Sequence, residues 1–304
     1  TLKQVERFYT ENGLPIEVDP TYDFPNRYNI ATFPVEENDK NGEGESLKLH
    51  MNREPRFYAW IAFHNGYYEV SGEDDRKEFS YAPVWKRGKD KKYKQLVQFM
   101  KTQNMGITND NKYGTKTGYL NKKGAHPGTS ASKSTGFKVI NYPWPMVRLA
   151  ELYLNFAESA NEAYSPTQQV EGYSGQPAMS AVEAVNVVRA RAGMPGVRDE
   201  YTTGRDVFRD RVWNERRVEF AFEPLRFYDI RRWKILDKTE TVVTGMRATK
   251  NDGDGTFTYK RFVVSERKSN ADTYLLSPLP MDEVNKMYKL TGTNWQNPGY
   301  ESPE

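Results

Sequence analysis

The apolar and small residues of Tyr142–Asn161 recur at Met146, Leu149, Ala150, Tyr153, Phe156, Ala157 and Ala160. Steps of three and four place them on one helical face. The pattern predicts a first helix from about Pro145 to Ala163. Pro143 and Pro145 suit its entry, because proline is tolerated in a first turn. Val147, Leu152 and Leu154 widen the stripe towards a second face. A helix apolar on more than one side is normally covered on more than one side. After the polar loop Tyr164–Ala178, a second helix is expected over Ala181–Ala192. Ser180 and Glu183 have capping-box spacing, and Gly193 and Pro195 stop the helix. A third helix opens near Arg205, with Thr203 and Asp206 as a weaker box, and runs to Glu223. Pro224 pushes Glu223 away from helical geometry, yet suits the start of a fourth helix, Leu225–Leu236. The two helix pairs show no clean 34-residue repeat.

Outside this block the pattern is more broken. Thr1–Ala31 is a short amphipathic stretch followed by Pro, Gly and Asp turn chemistry. Glu36–Ser46 is polar and Gly-rich and reads as a loop. Arg56–His64 alternates Phe57, Ala59, Ile61 and Phe63 against Tyr58, Trp60 and Ala62, the pattern of a strand covered on both faces. Gly66–Thr135 is polar and studded with aromatics, and reads as irregular with a short helix near Tyr93–Lys101. Thr241–Val264 alternates around an Asp-Gly turn and reads as a β-hairpin. Asp282–Tyr288 reads as a short helix. The chain is thus expected to contain a loop-rich segment with short strands (1–141), a helical block (142–240), and a hairpin with a C-terminal tail (241–304).

The densest cluster of chemistry is Glu215, Arg216, Arg217, Glu219, Glu223, Arg226, Asp229, Arg231 and Arg232. Paired acids can do acid–base work when their environments separate their pKa values. Here each acid has an arginine within helical reach, and guanidinium forks match carboxylates. The cluster therefore reads as an ion-pair network between the third and fourth helices. His50, His64 and His126 have no metal-ligand spacing, and Asn251–Gly255 lacks the acid that closes a calcium loop, so neither a metal nor a cofactor is called for. Trp85–Lys94 is basic with interleaved aromatics and reads as a solvated loop. The best ligand candidates are Tyr67, Tyr68, Tyr81 and Trp85, aromatics in a polar context where rings can stack on a ligand. Trp144, Trp213 and Trp233 sit in or beside helices and read as core.

Several motifs occur in a fixed order. They are NREPRFYAWIAFHNG (Asn52–Gly66), GYLNKK (Gly118–Lys123), YPWPMVRLAELYLNFAESAN (Tyr142–Asn161), VNVVRARAGMP (Val185–Pro195), NERRVEFAFEPLRFYDIRRW (Asn214–Trp233), and YLLSPLP with QNPGY inside Tyr274–Tyr300. Together they resemble the SusD/RagB family of nutrient-binding outer-membrane lipoproteins. Two departures are Pro224 where the family usually has Gly, and Glu54 where Asp is commoner. The resemblance implies a mainly α fold of TPR-like helix pairs, an alpha-alpha superhelix with long irregular loops and short β-hairpins. It also implies a non-catalytic surface protein that presents oligosaccharide to a SusC-like TonB-dependent transporter. The RagB branch makes a peptide the alternative ligand. A helical-repeat scaffold without a small ligand is another class of reading, and a glycan-cleaving enzyme a third.

Composition narrows these readings. A formal charge of +3 does not ask for nucleic acid. No run approaches the length of a membrane span. Zero cysteines rule out disulfides, thiolate metal sites and a lipidated cysteine within these 304 residues. The resemblance implies an N-terminal lipid-anchor Cys and an N-terminal helical half. The chain is therefore expected to be the C-terminal region of such a protein, with that half as a packing partner.

Overall fold

Leu2 and Val5 form the buried side of α1 (Leu2–Arg7) and open the main core with Phe8 and Tyr9. The computed structural model describes residues 1–304 except 35–40, 72–84, 88–91, 100–113, 127–128, 133–135, 142–143, 240, 252–256, 268–270 and 302–304. The chain forms two units, Thr1–Ala221 with Thr244–Phe262, and Phe222–Val243 with Val263–Glu304.

In the first unit, β1 (Ile30–Thr32) pairs antiparallel with β2 (Glu45–Leu47), Ile30 facing Leu47 and Thr32 facing Glu45. The end of the expected Glu36–Ser46 loop is thus strand, because Leu47 enters the core; residues 36–40 lie outside the described residues. The strand expected over Arg56–His64 is corrected more sharply. Pro55–Trp60 is a helix, α2, with Glu54 as N-cap and Pro55 in its first turn. Only Ile61–Ala62 is strand, β3. Proline's fixed φ suits a first turn, and burial of Arg56 with Phe57 outweighs an alternation that carried large residues on both phases.

Gly66–Thr135 is also more regular than expected. Strands β4 (Tyr67–Ser71), β5 (Trp85–Arg87) and β6 (Lys92–Leu96) form an antiparallel sheet in the order β4-β6-β5. The helix expected near Tyr93–Lys101 is therefore strand over Lys92–Leu96, because both neighbours hydrogen-bond to it. Val97 and Phe99 continue into a small buried cluster with Ala62. Strand β7 (Leu120–Asn121) pairs with β3, and β8 (Ser130–Ser132) pairs with β9 (Gly136–Lys138).

The expected helices are present with shifted ends. Helix α3 spans Leu149–Ala163, starting four residues after Pro145, with Arg148 as an extended N-cap. Helix α4 spans Ala181–Arg191 and has the expected capping box, the Glu183 N–H donating to Ser180 and the Ser180 N–H to Glu183. It ends in a Schellman pattern: Gly193 at φ +72° donates to Ala190, and Met194 donates to Arg189. Helix α5 spans Arg205–Glu219, four residues shorter than expected. Its N-cap is Gly204 with no side-chain cap bond, so the expected Thr203–Asp206 box is not formed. Helix α3 packs on α4 and α5; Leu154, Ala157 and Ala160 are buried on α3, Ala184, Val185 and Val188 on α4, and Phe208 and Val212 on α5. Trp144 is 65% exposed rather than core. Strands β10 (Val242–Lys250) and β11 (Phe257–Glu266) pair as a two-stranded sheet, and residues 252–256 of the expected turn lie outside the described residues. The Met246 N–H donates to the Thr117 carbonyl, and a Cβ on Gly118 would stand 1.8 Å from the Met246 carbonyl oxygen. Gly118, at φ +79°, is therefore required by both space and backbone.

In the second unit, α6 spans Leu225–Arg232, and Lys234 at φ +54° separates it from α7 (Leu236–Thr239). Helix α8 covers Ala271–Tyr274, and α9 covers Met281–Thr291, four residues longer than expected over Asp282–Tyr288. The two terminal motifs clamp each other. Gln296 exchanges two hydrogen bonds with Leu279, the Asn297 amide donates to the Ser277 carbonyl, and the Tyr300 hydroxyl donates to the Leu276 carbonyl.

Candidate functional site

Glu215 and Glu219 stand one turn apart on α5 and point the same way. Both are buried, so each needs a cation and a full set of hydrogen bonds. Arg56 of α2 supplies the centre, its Nη1 reaching Glu215 at 2.7 Å and Glu219 at 3.0 Å. Arg56 Nε also binds Glu54 at 2.6 Å, and the other Glu54 oxygen accepts from the Tyr9 N–H at 2.8 Å. Arg189 of α4 binds Glu215 at 3.2 Å and donates to the carbonyls of Gly13 and Pro195. Arg191 holds both oxygens of Glu219 at 2.6 Å, and Arg148 adds a bond at 2.9 Å. The Lys123 ammonium donates to the Glu219 carbonyl.

Of the acids in the cluster read from the sequence, Glu215 and Glu219 take arginines from other segments, and Asp229 pairs with Arg232 on its own helix. Glu215 and Glu219 draw on Arg56, Arg148, Arg189 and Arg191. The missed residues all lie inside the quoted motifs. Their signal was the paired arginines of VVRARAG, which helical-reach reasoning does not connect to a segment 26 residues away. Burial raises the pKa of Glu54, outweighing the attraction of Arg56. At Glu219 burial also pushes upward, but Arg56, Arg191 and Arg148 outweigh it and hold the group below its usual range. Burial opposes the charge on Arg56, yet Glu215, Glu54 and Glu219 hold it firmly protonated. With their oxygens taken by guanidinium and N–H donors, these acids are placed to hold structure rather than to exchange protons.

A second buried polar chain runs from Ser46 to His50 Nδ1 at 2.8 Å and from His50 Nε2 to the Tyr119 hydroxyl at 3.0 Å. Ser46 also donates to the His64 carbonyl. Burial lowers the His50 pKa far below its usual value and lowers that of His64 to about 4. Both rings are therefore neutral near pH 7. His64 Nδ1 accepts from the Phe99 N–H. All the side chains in this chain are buried, so it gives no substrate a nucleophile.

The four candidate aromatics separate by strand phase. Tyr67 is in strand, not loop, and is 3% exposed, its hydroxyl donating to Glu43 at 3.0 Å. Tyr68, one residue on, takes the opposite face. It is half-buried, with the Lys122 ammonium 5.8 Å from its ring centre. Trp85 lies in β5, and both Tyr68 and Trp85 are register partners of Gln95. Tyr68, Gln95 and Trp85 therefore occupy one cross-strand row. Tyr81 lies outside the described residues, as do residues 88–91 of the basic run.

A cavity of 310 Å³ opens between the start of α3 and the end of α4. Leu149, Ala150, Tyr153, Val187 and Val188 line it, with Arg148 and Arg191 also contributing. Among the described residues no three His, Cys, Asp or Glu side chains converge as a metal site, and no helix is long and apolar enough to cross a membrane.

Residues 1–300 match the model of the SusD family. The solved structure of BT4246 superposes with a TM-score of 0.72 at 28% identity, over 99% of this chain and 44% of that one. The SusD-like protein BF3747 from Bacteroides fragilis gives a TM-score of 0.58 at 27% identity, over 99% of this chain and 46% of that one. A SusD-like carbohydrate-binding protein, BF0978 from Bacteroides fragilis, shares the fold with a TM-score of 0.51 at 20% identity, over 93% and 46%. This chain spans less than half the length of these structures. No curated protein matches it.

Proposed function

This chain belongs to the SusD family, and on that premise we propose that it is part of a non-catalytic binding protein that captures oligosaccharide at the cell surface. The family match over residues 1–300 carries the reading. The closed ion network supports it, because the most conspicuous acids in the sequence are committed to arginines. We propose further that the whole protein is held at the outer membrane by a lipid on an N-terminal cysteine. There it passes its ligand to a SusC-like TonB-dependent transporter. Residues 1–304 form its C-terminal region in this reading.

Within these residues the ligand row is Tyr68 and Trp85 about Gln95. Strand spacing puts Tyr68 and Trp85 about 10 Å apart across the sheet, a span on which successive flat sugar faces can rest. Tyr67 is buried, and Tyr68 is half-buried against the cluster of Ala62, Val97 and Phe99.

Calorimetric titration of the protein with a panel of neutral and acidic oligosaccharides tests the reading. Saturable binding with no change in the sugar recovered is the expected result. Tyr68→Ala should weaken that binding about tenfold, since ring–ligand stacking contributes on the order of 1–3 kcal/mol. Cleaved product would make the protein an enzyme. Saturation by peptides and by no glycan would move it to the RagB-like reading.

A further inference from the structure

The register of the β4-β6-β5 sheet sorts its residues by charge as well as by face. Register partners share a face, and a face recurs at every second residue. Tyr68, Gln95 and Trp85 form one row. Val70, Tyr93 and Arg87 form the next row on the same face, about 7 Å along the strands. The other face takes the alternate row, Glu69, Lys94 and Lys86. The two faces therefore differ. The lysines share their row with a carboxylate, and opposite charges steady a cross-strand pair. Arg87 shares its face with Tyr68, Tyr93, Trp85, Gln95 and Val70, and among the described residues of the sheet no acid stands there. At its inner end this face is covered, Tyr68 packing against Ala62, Val97 and Phe99. The Lys122 ammonium, 5.8 Å from the Tyr68 ring centre, brings a second positive charge to that end. Trp85 and Arg87 stand at the opposite end, on the edge strand β5.

Building on the binding reading above, we propose that the ligand of this sheet is an acidic oligosaccharide, one that bears carboxylate or sulfate. Trp85 and Tyr93 take the flat faces of its rings, and Arg87 takes its acid. Aromatic rings supply broad contact area, and a guanidinium matches carboxylate or sulfate with a planar fork of donors. The step of about 7 Å between the two rows suits an acid carried on a sugar next to the stacked one. A neutral sugar would leave Arg87 with nothing to answer its charge on this face.

Calorimetric titration of the whole protein with matched pairs separates charge from sugar. The pairs are tetragalacturonate against its methyl ester, and a chondroitin sulfate tetrasaccharide against its desulfated form. Each pair keeps the sugar and removes one kind of acid. The charged member of one pair is expected to bind about tenfold tighter, the scale of one charge-assisted contact. That preference should shrink as salt rises from about 0.05 M to about 0.5 M. Arg87→Gln should remove the preference, Arg87→Lys should keep part of it, and Lys86→Gln, on the other face, should leave it unchanged. The pair that shows the preference tells carboxylate from sulfate. Equal binding within both pairs overturns the acidic ligand and leaves oligosaccharide capture standing. A preference untouched by Arg87→Gln, or lost equally in Lys86→Gln, overturns the site. Tetraglutamate binding as tightly as tetragalacturonate also overturns it, since charge alone then suffices. Binding of no saccharide defeats the capture reading itself, and the acidic ligand with it. Should Arg87→Gln fail to fold, the matched pairs and the salt series on the unsubstituted protein still decide.

Discussion

Two ion clusters of this chain use the same residue types at the same distances and mean different things. In the buried cluster, Arg56 reaches Glu215 at 2.7 Å and Glu54 at 2.6 Å, all three side chains nearly or fully excluded from solvent. On the surface, Arg209 reaches Glu162 at 2.6 Å and also Asp206, which is almost wholly exposed. Bond length does not distinguish them; what becomes of the survivors when one partner is removed does. Around Arg56 the remaining carboxylates have no water to turn to. Around Arg209 they do.

The largest expected effect is therefore at Arg56. Arg56→Ala should destabilise the protein by about 3–5 kcal/mol, the scale for breaking a buried pair, as read by urea or thermal unfolding. A variant within 1 kcal/mol of the parent would mean that water reaches these acids, and the contrast with the surface cluster would collapse.

Acid tests a buried group of a different kind. His64 has a folded pKa of about 4 against an ordinary value of 6.5. Its unfolded form binds a proton first as pH falls, so the stability of the neutral ring is present above about 6.5 and is lost progressively towards 4. Between pH 7 and pH 5 the loss is about 2 kcal/mol for this group alone. His50 works in the same direction; Glu54, with its raised pKa, works in the opposite one. His64→Asn keeps an acceptor for the Phe99 N–H and should remove about that 2 kcal/mol of pH dependence. Parallel stability–pH curves for the two proteins would show that His64 is hydrated.

The smallest effect belongs to the surface. Arg209→Ala should cost about 0.2–1 kcal/mol, less at high salt. A larger loss that survives 1 M salt would show Arg209 to be a packing residue rather than a solvated charge.

The contrast also marks what the sequence could carry. The α3–α5 helices were legible because their apolar steps are local, and at α4 so is the cap: Ser180 and Glu183 are three residues apart and form the box that their spacing predicts. The family was legible because its motifs keep their order. Arg56–Glu215 was not legible, because 159 residues separate the partners and charge pattern along a helix speaks only for neighbours. Helix α2 was misread as strand because large residues filled both phases of the alternation and concealed the period. Tyr67 was misread as a loop aromatic because its context is polar in sequence, while strand pairing turns it inward beside Tyr68, which faces the other way.

The separations within the buried cluster also set an order of assembly. Glu54 and Arg56 are synthesised long before their partners on α5. At about 5–20 residues per second, roughly ten to thirty seconds pass on the ribosome before the codons for Glu215 and Glu219 are reached. Through that interval Arg56 has, of the acids in this cluster, only Glu54, two residues away. Closing a loop of this length adds little entropy beyond a shorter one, but it places the network among the last native contacts to form. A nascent chain stalled before Glu215 should thus expose α2 to protease, and one stalled well beyond Glu219 should protect it, making this salt-bridge cluster the latch that completes the first unit rather than the seed that begins it.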